Sequence, residues 1–313
     1  MSETLKFALF QVVILAPFIL GYLTRNKFNN PEKTTRAILR TNIIIIEPLI
    51  VLWCIWGLKF TSDLILLPFA GLFLAVLGLF CGFLFSPFLR IKGIRKQTFL
   101  ISSSLANHGF TMGGFLCYFF LGEKGLGLSI ILVLYFIPYV YGFIFPSAKI
   151  ASKRISENGR SLKNLILDPH NMPLFAMVLT IMLRISGIKR PAINFPIEAL
   201  LLLSVSLYYL SLGINFTSLE IKNLKKEHLS LAVIKFIAVP LTAFFIMRLL
   251  NPDQTVMAII MIQAFMPAAI FSVVTSVLFN LDAKMASSLF VLNTLIFMIA
   301  ILPAMFICRD VFF

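Results

Sequence analysis

Ten stretches of mostly apolar residues, each close to the roughly 20 that an α-helix needs to cross the hydrocarbon layer of a bilayer, take up most of this 313-residue chain. The first five expected spans are Phe7–Leu23, Thr41–Leu58, Leu64–Leu84, Phe99–Leu121 and Leu126–Phe145. The second five are Met172–Ile188, Ile197–Ile214, Leu229–Leu250, Met257–Phe279 and Ala286–Ile307. With 59% hydrophobic residues, 13% charged and a mean hydropathy of +0.97, a water-soluble fold would have nothing to cover its surface with. The expectation is an all-α integral membrane protein of ten transmembrane helices. The longest connector, residues 146–171, is basic and polar and divides the chain into repeats at 1–145 and 172–313.

Charge predicts the orientation. The connectors after the first, third and fifth spans carry Arg25, Lys27, Lys33, Arg36 and Arg40, then Arg90, Lys92, Arg95 and Lys96, then Lys149, Lys153, Arg154, Arg160 and Lys163. The connectors between them hold only Lys59 and Lys124. Positive loops stay cytoplasmic, so the basic connectors are expected inside and both termini outside. The first span is preceded by Lys6 and followed by Arg25 and Lys27, the reverse of a cleaved signal peptide, and is read as a retained helix. An odd number of spans per half gives the halves opposite orientations. The net charge of +14 then belongs to alternate membrane loops and anionic lipid, not to nucleic acid.

Cys54, Cys81, Cys117 and Cys308 sit in or beside apolar spans without CxxC spacing, and are expected as free buried thiols. No HExxH, Walker loop, GxSxG or His/Cys/Asp cluster is present, so neither enzyme chemistry nor a cofactor is expected.

Two spans are interrupted. The fourth contains Ser102 to Gly114, SSSLANHGFTMGG, and the ninth contains Met266-Pro267. An offset of 159 places His108 over Pro267 and Glu123 over Asp282, so each half has a broken fourth span, an acidic turn and a fifth span. The halves are read as inverted repeats. Pro267 removes a backbone N–H and obstructs the carbonyl one turn earlier, while Gly109, Gly113 and Gly114 weaken the helix. Opened backbone at membrane depth is tolerated only inside protein or beside a wet cavity. Matched half-helix ends there form a ligand site, and exposed N–H groups favour an anion. Candidate side chains are Asn107, His108 and Thr111 on one break and Gln263 and Ser272 on the other, with Tyr135, Asn293 and Thr294 on the adjacent spans.

Glu47 is the only carboxylate well inside an expected span. An intramembrane acid is costly and is a candidate for binding and releasing a proton; an ion pair with a base such as Lys235 is the structural alternative. His108 is a second coupling candidate. Tyr208-Tyr209 is read as interfacial belt, and Lys235 and Arg248 as side chains that snorkel from span ends.

The text MIQAFMPAAIFSVVTSVLFNLDAKMASSLFVLNTLIFMIAILP resembles the last two helices of the auxin efflux carrier family. ANHGFTMGGFLCYFFLGEKGLGLS resembles that family's fourth-helix region, and SLGINF its seventh-helix ending. The bile acid:sodium symporters share the architecture. The resemblance implies an elevator-type secondary carrier. Its scaffold is formed by helices 1, 2, 6 and 7, its transport domain by helices 3–5 and 8–10, and substrate is held where helices 4 and 9 cross. It implies a small organic anion as substrate, binding roles for Asn107 and Pro267, and a scaffold that a homodimer would use. Gly113-Gly114 stands where the family often has proline, and His108 where it has a small or hydroxyl residue, so the substrate need not match a relative's. Coupling to protons, or none, is expected ahead of sodium, because the fourth and ninth spans lack a carboxylate. A non-transporting ligand sensor is the alternative of another class. The expected location is a cell membrane, the inner membrane of a bacterium.

Overall fold

A computed structural model describes residues 3–59, 62–109, 112–152, 172–214 and 226–307. Over these residues the chain is helical apart from its connectors, and the one β-type pairing is an isolated bridge. The helices are α1 Glu3–Thr24, α2 Lys33–Gly57, α3 Leu66–Leu89, α4 Gly93–Ser104, α5 Gly113–Ala151 and α6 Met172–Ile185. They continue with α7 Ile197–Ile214, α8 Lys226–Leu250, α9 Gln254–Ala264, α10 Ile270–Leu278 and α11 Ala283–Ile307. By length and composition six of them can cross a membrane: α2, α3, α5, α7, α8 and α11. The other expected spans correspond to α1 with 22 residues, α6 with 14, and the interrupted pairs α4/α5 and α9/α10.

The interruptions fall where the polar run and the proline predict them. Helix α4 ends at Ser104 and α5 begins at Gly113; α9 ends at Ala264 and α10 begins at Ile270. Helix α5 changes direction at Gly122, whose φ of 65° and ψ of −157° are accessible to glycine and to almost nothing else. It then runs through Pro146 to Ala151, beyond the end of the expected fifth span at Phe145.

The chain forms two compact units. The first contains residues 1–59, 110–127 and 158–218; the second contains 60–109, 128–157 and 219–313. In the first unit α1 packs on α7 and the second half of α2 packs on α6. Arg190 joins this unit's ends: it pairs with Glu123, donates to the Trp53 carbonyl at 3.3 Å and lies 4.6 Å from the centroid of the Trp53 ring. In the second unit α3 packs on α4, and α10 on α11. Its core holds Leu74, Phe99, Leu231, Ile234, Ala243, Met261 and Leu289, all buried. At one end Arg95 pairs with Glu227 at 2.9 Å and approaches Asp282 at 3.8 Å, while the Asp282 carboxylate caps α11 by accepting from the Met285 N–H at 3.0 Å.

Candidate functional site

Within the second unit, residues 105–107 and 267–269 of the two interruptions run past each other in opposite directions. The Asn107 N–H donates to the Pro267 carbonyl at 2.8 Å, and the Ala269 N–H donates to the Leu105 carbonyl at 3.0 Å, forming an antiparallel bridge between Ala106 and Ala268. This pairing answers the backbone problem created by opening a helix in an apolar interior. Each break supplies the partner that the other lacks. The Ala268 N–H is taken by the Asn293 side-chain oxygen at 2.8 Å, so α11 also holds the bridge.

His108 ties three segments together. Its Nε2 lies 3.1 Å from the Gln263 carbonyl and its Nδ1 2.9 Å from the Tyr135 hydroxyl. A carbonyl can only accept, so Nε2 carries the proton, and in the neutral ring Nδ1 accepts from Tyr135. The side chain is 3% exposed and both ring nitrogens are engaged. Tyr135 reaches it because α3 carries Gly71 at the point of contact: a Cβ there would lie 2.6 Å from the Leu132 carbonyl oxygen and 2.5 Å from the Tyr135 ring. Ser104, at the end of α4, donates to the Ala75 carbonyl at 3.0 Å and so accepts from the Tyr139 hydroxyl at 2.8 Å.

The expected site residues separate into two groups. Asn107, His108, Gly109, Tyr135, Gln263, Pro267, Ser272 and Asn293 lie in the second unit. Asn107 and Pro267 meet through their backbones, and His108, Tyr135 and Gln263 through the imidazole. Ser272 is buried, but its hydroxyl donates to the Ala269 carbonyl at 2.8 Å, closing the first turn of α10. Gly113 and Glu47 belong to the first unit, and Thr111 lies outside the described residues. The Glu47 carboxylate accepts a hydrogen bond from the Tyr208 hydroxyl. Tyr208 is therefore a partner of the buried acid, not a belt residue.

Lys235 was misplaced by sequence reasoning. It does not snorkel: it is 2% exposed, and its Nζ donates to the Leu105 carbonyl in the break at 3.1 Å. Leu105 is the residue that ends α4, so an ammonium sits at the carbonyl end of a half-helix, where the helix dipole favours positive charge. The signal was present in the sequence. Lys235 lies about as deep in its expected span as Glu47 does in its own, and an intramembrane base warrants the same suspicion as an intramembrane acid.

No family model matches the chain. A protein of Methanocaldococcus jannaschii named an uncharacterized transporter is 26% identical over 230 residues, covering 71% of each chain. This similarity and the apolar helices support a multi-pass membrane protein and fit a membrane transporter.

Proposed function

We propose that the protein is a secondary carrier of the elevator type that moves a small organic anion, either together with protons or as a uniporter. The observation that carries this reading is the antiparallel meeting of two interrupted helices at Ala106 and Ala268. Interrupted helices that cross inside a bundle present half-helix ends to a common point, which is how many secondary carriers build a substrate site. Helix α10 adds an N-terminus whose cap residue, Ala269, has no side-chain acceptor to offer it. A ligand carboxylate suits such an end.

The grouping of helices supports the elevator reading. One compact unit holds α1, α2, α6, α7 and the first part of α5, and the other holds the bridge where Ala106 meets Ala268. In this reading the second unit carries the substrate and the first is the scaffold. The residue pattern that resembles the auxin efflux carrier family lies largely around the breaks, and the resemblance supplies the expectation of an organic anion. Orientation with both termini outside, residence in a bacterial inner membrane and dimerisation through the scaffold complete the proposal.

The test is uptake of radiolabelled organic acids by proteoliposomes containing the wild type, Asn107→Ala or Pro267→Ala. Both substitutions are expected to cut initial uptake at least tenfold while leaving the yield of folded protein unchanged. Full uptake by both variants would remove the crossing as the substrate site.

A further inference from the structure

The donors and acceptors around the crossing do not balance. Lys235 brings three N–H bonds and a positive charge to a position that is 2% exposed. The hydrogen bond found for its ammonium goes to Leu105, whose carbonyl also accepts from the Ala269 N–H. No ion pair to Lys235 occurs among the described residues. The titratable groups beside it are Cys81 and His108, a thiol and an imidazole, and neither supplies a carboxylate. On the far side of the bridge, Asn293 uses its oxygen on the Ala268 N–H, while its amide nitrogen is buried with no acceptor. Donors are thus left over next to both strands of the bridge, and one of them is charged.

A buried charge without a partner is among the most expensive features a protein can carry, and a bound counter-ion offsets that cost. A metal cation does not complete this one, because a cation needs acceptors and is repelled by an ammonium. An anion with acceptor oxygens completes it. We propose that Lys235 is the countercharge of the transported ligand: its ammonium takes one oxygen of a carboxylate. This rests on the anion-carrier reading and adds to it the residue that selects for negative charge. It also assigns the selection of charge to α8, leaving the two breaks to shape the site through their backbones.

The experiment compares thermal unfolding in detergent of the wild type, Lys235→Gln and Lys235→Arg. Each is measured in potassium acetate, malate, citrate, benzoate or indole-3-acetate, against potassium chloride of equal ionic strength. Lys235→Gln keeps a donor for Leu105 and removes the charge; Lys235→Arg keeps the charge. Without carboxylate, Lys235→Gln is expected to unfold at or above the wild-type temperature, since an uncompensated charge has gone. At least one carboxylate is expected to raise the wild-type midpoint by about 3 °C or more, Lys235→Arg by a smaller amount, and Lys235→Gln not at all. An equal rise in wild type and Lys235→Gln overturns the role of Lys235 and leaves the anion-carrier reading standing. A clear fall in the midpoint of Lys235→Gln without ligand, with Lys235→Arg unchanged, shows that the charge is already satisfied internally and also overturns it. If no carboxylate shifts the wild type, the anion-carrier reading fails and this proposal fails with it.

Discussion

Asn293 holds one strand of the crossing by a single hydrogen bond from the Ala268 N–H. Asn293→Ala leaves that buried donor unsatisfied, at a cost of about 1–3 kcal/mol. The expected result is a fall of several degrees in the unfolding midpoint together with reduced uptake. An unchanged midpoint means that water has taken the Ala268 N–H, and hence that the crossing is wet. Glu47 and Tyr208 form the matching polar pair of the first unit. Glu47→Gln keeps an acceptor for Tyr208 and removes the ionisable group, so it tests coupling with little change in packing. Uptake by this variant is expected to lose its dependence on pH, whereas retention of the full wild-type profile would assign Glu47 a structural role. At this scale the sequence revealed residue types but not their partners. Asn107, His108, Gln263 and Asn293 were legible because polar side chains stand out in apolar text. Tyr208 and Lys235 were misread because amphipathic side chains suit a membrane interface as well as an interior. Only packing distinguishes the two, and packing is not written in one chain's residue order.

Four wide turns show how an element records its prolines. The helix winds in a π turn at Asn42–Ile46, Val140–Ile144, Ile234–Ala238 and Phe297–Ile301. Pro48, Pro146, Pro240 and Pro303 each stand two residues beyond one of these turns. A proline ring pushes away the carbonyl four residues back. The residue before each proline instead donates to the carbonyl five back, as Glu47 does to Asn42 and Val239 to Ile234. One of these turns contains Lys235, so the proline at 240 helps set the direction in which the ammonium points. The prolines were visible in the sequence, but the π turns were not, since a proline kink can be absorbed in several ways. The breaks that follow Ser104 and Ala264 were legible because glycines, a proline and polar side chains coincide there. The bend at Gly122 was legible only as a turn near Glu123. Its backbone lies in a region that a side chain enters at a cost of about 1–3 kcal/mol, although nothing lies near a Cβ at that point. Gly122→Ala should therefore lower the unfolding midpoint through backbone strain alone, and Gly122→Val should lower it further. Equal stability of Gly122→Ala and wild type means that the turn relaxes to another conformation.

At the scale of the whole molecule, the charge pattern and the repeat make a joint claim that neither makes alone. From the basic connectors of the first half, Lys124 is expected outside. Lys284 occupies the corresponding turn of the second half, just after Asp282, as Lys124 follows Glu123. If the halves are inverted, these two lysines face opposite sides of the membrane, although they hold equivalent places in the repeat. The packing within the first unit is consistent with this. Helix α1 pairs with α7 and α2 with α6, and a two-fold relation between the halves exchanges one pair for the other. The π turns of α5 and α11 repeat as well, since Val140–Ile144 and Phe297–Ile301 precede Pro146 and Pro303 at the same spacing. Both lysines are exposed, so each can be replaced by cysteine without disturbing a core. Cys54, Cys81 and Cys117 are buried and in no disulfide, and a background with all four native cysteines changed to alanine removes any residual reaction. In intact cells a membrane-impermeant maleimide is expected to label Lys124→Cys, and to label Lys284→Cys only after the membrane is opened. Labelling of both in intact cells, or of neither, would mean that the halves run parallel. The two breaks would then have to meet without the two-fold relation that pairs an Asn107-containing break with a Pro267-containing one.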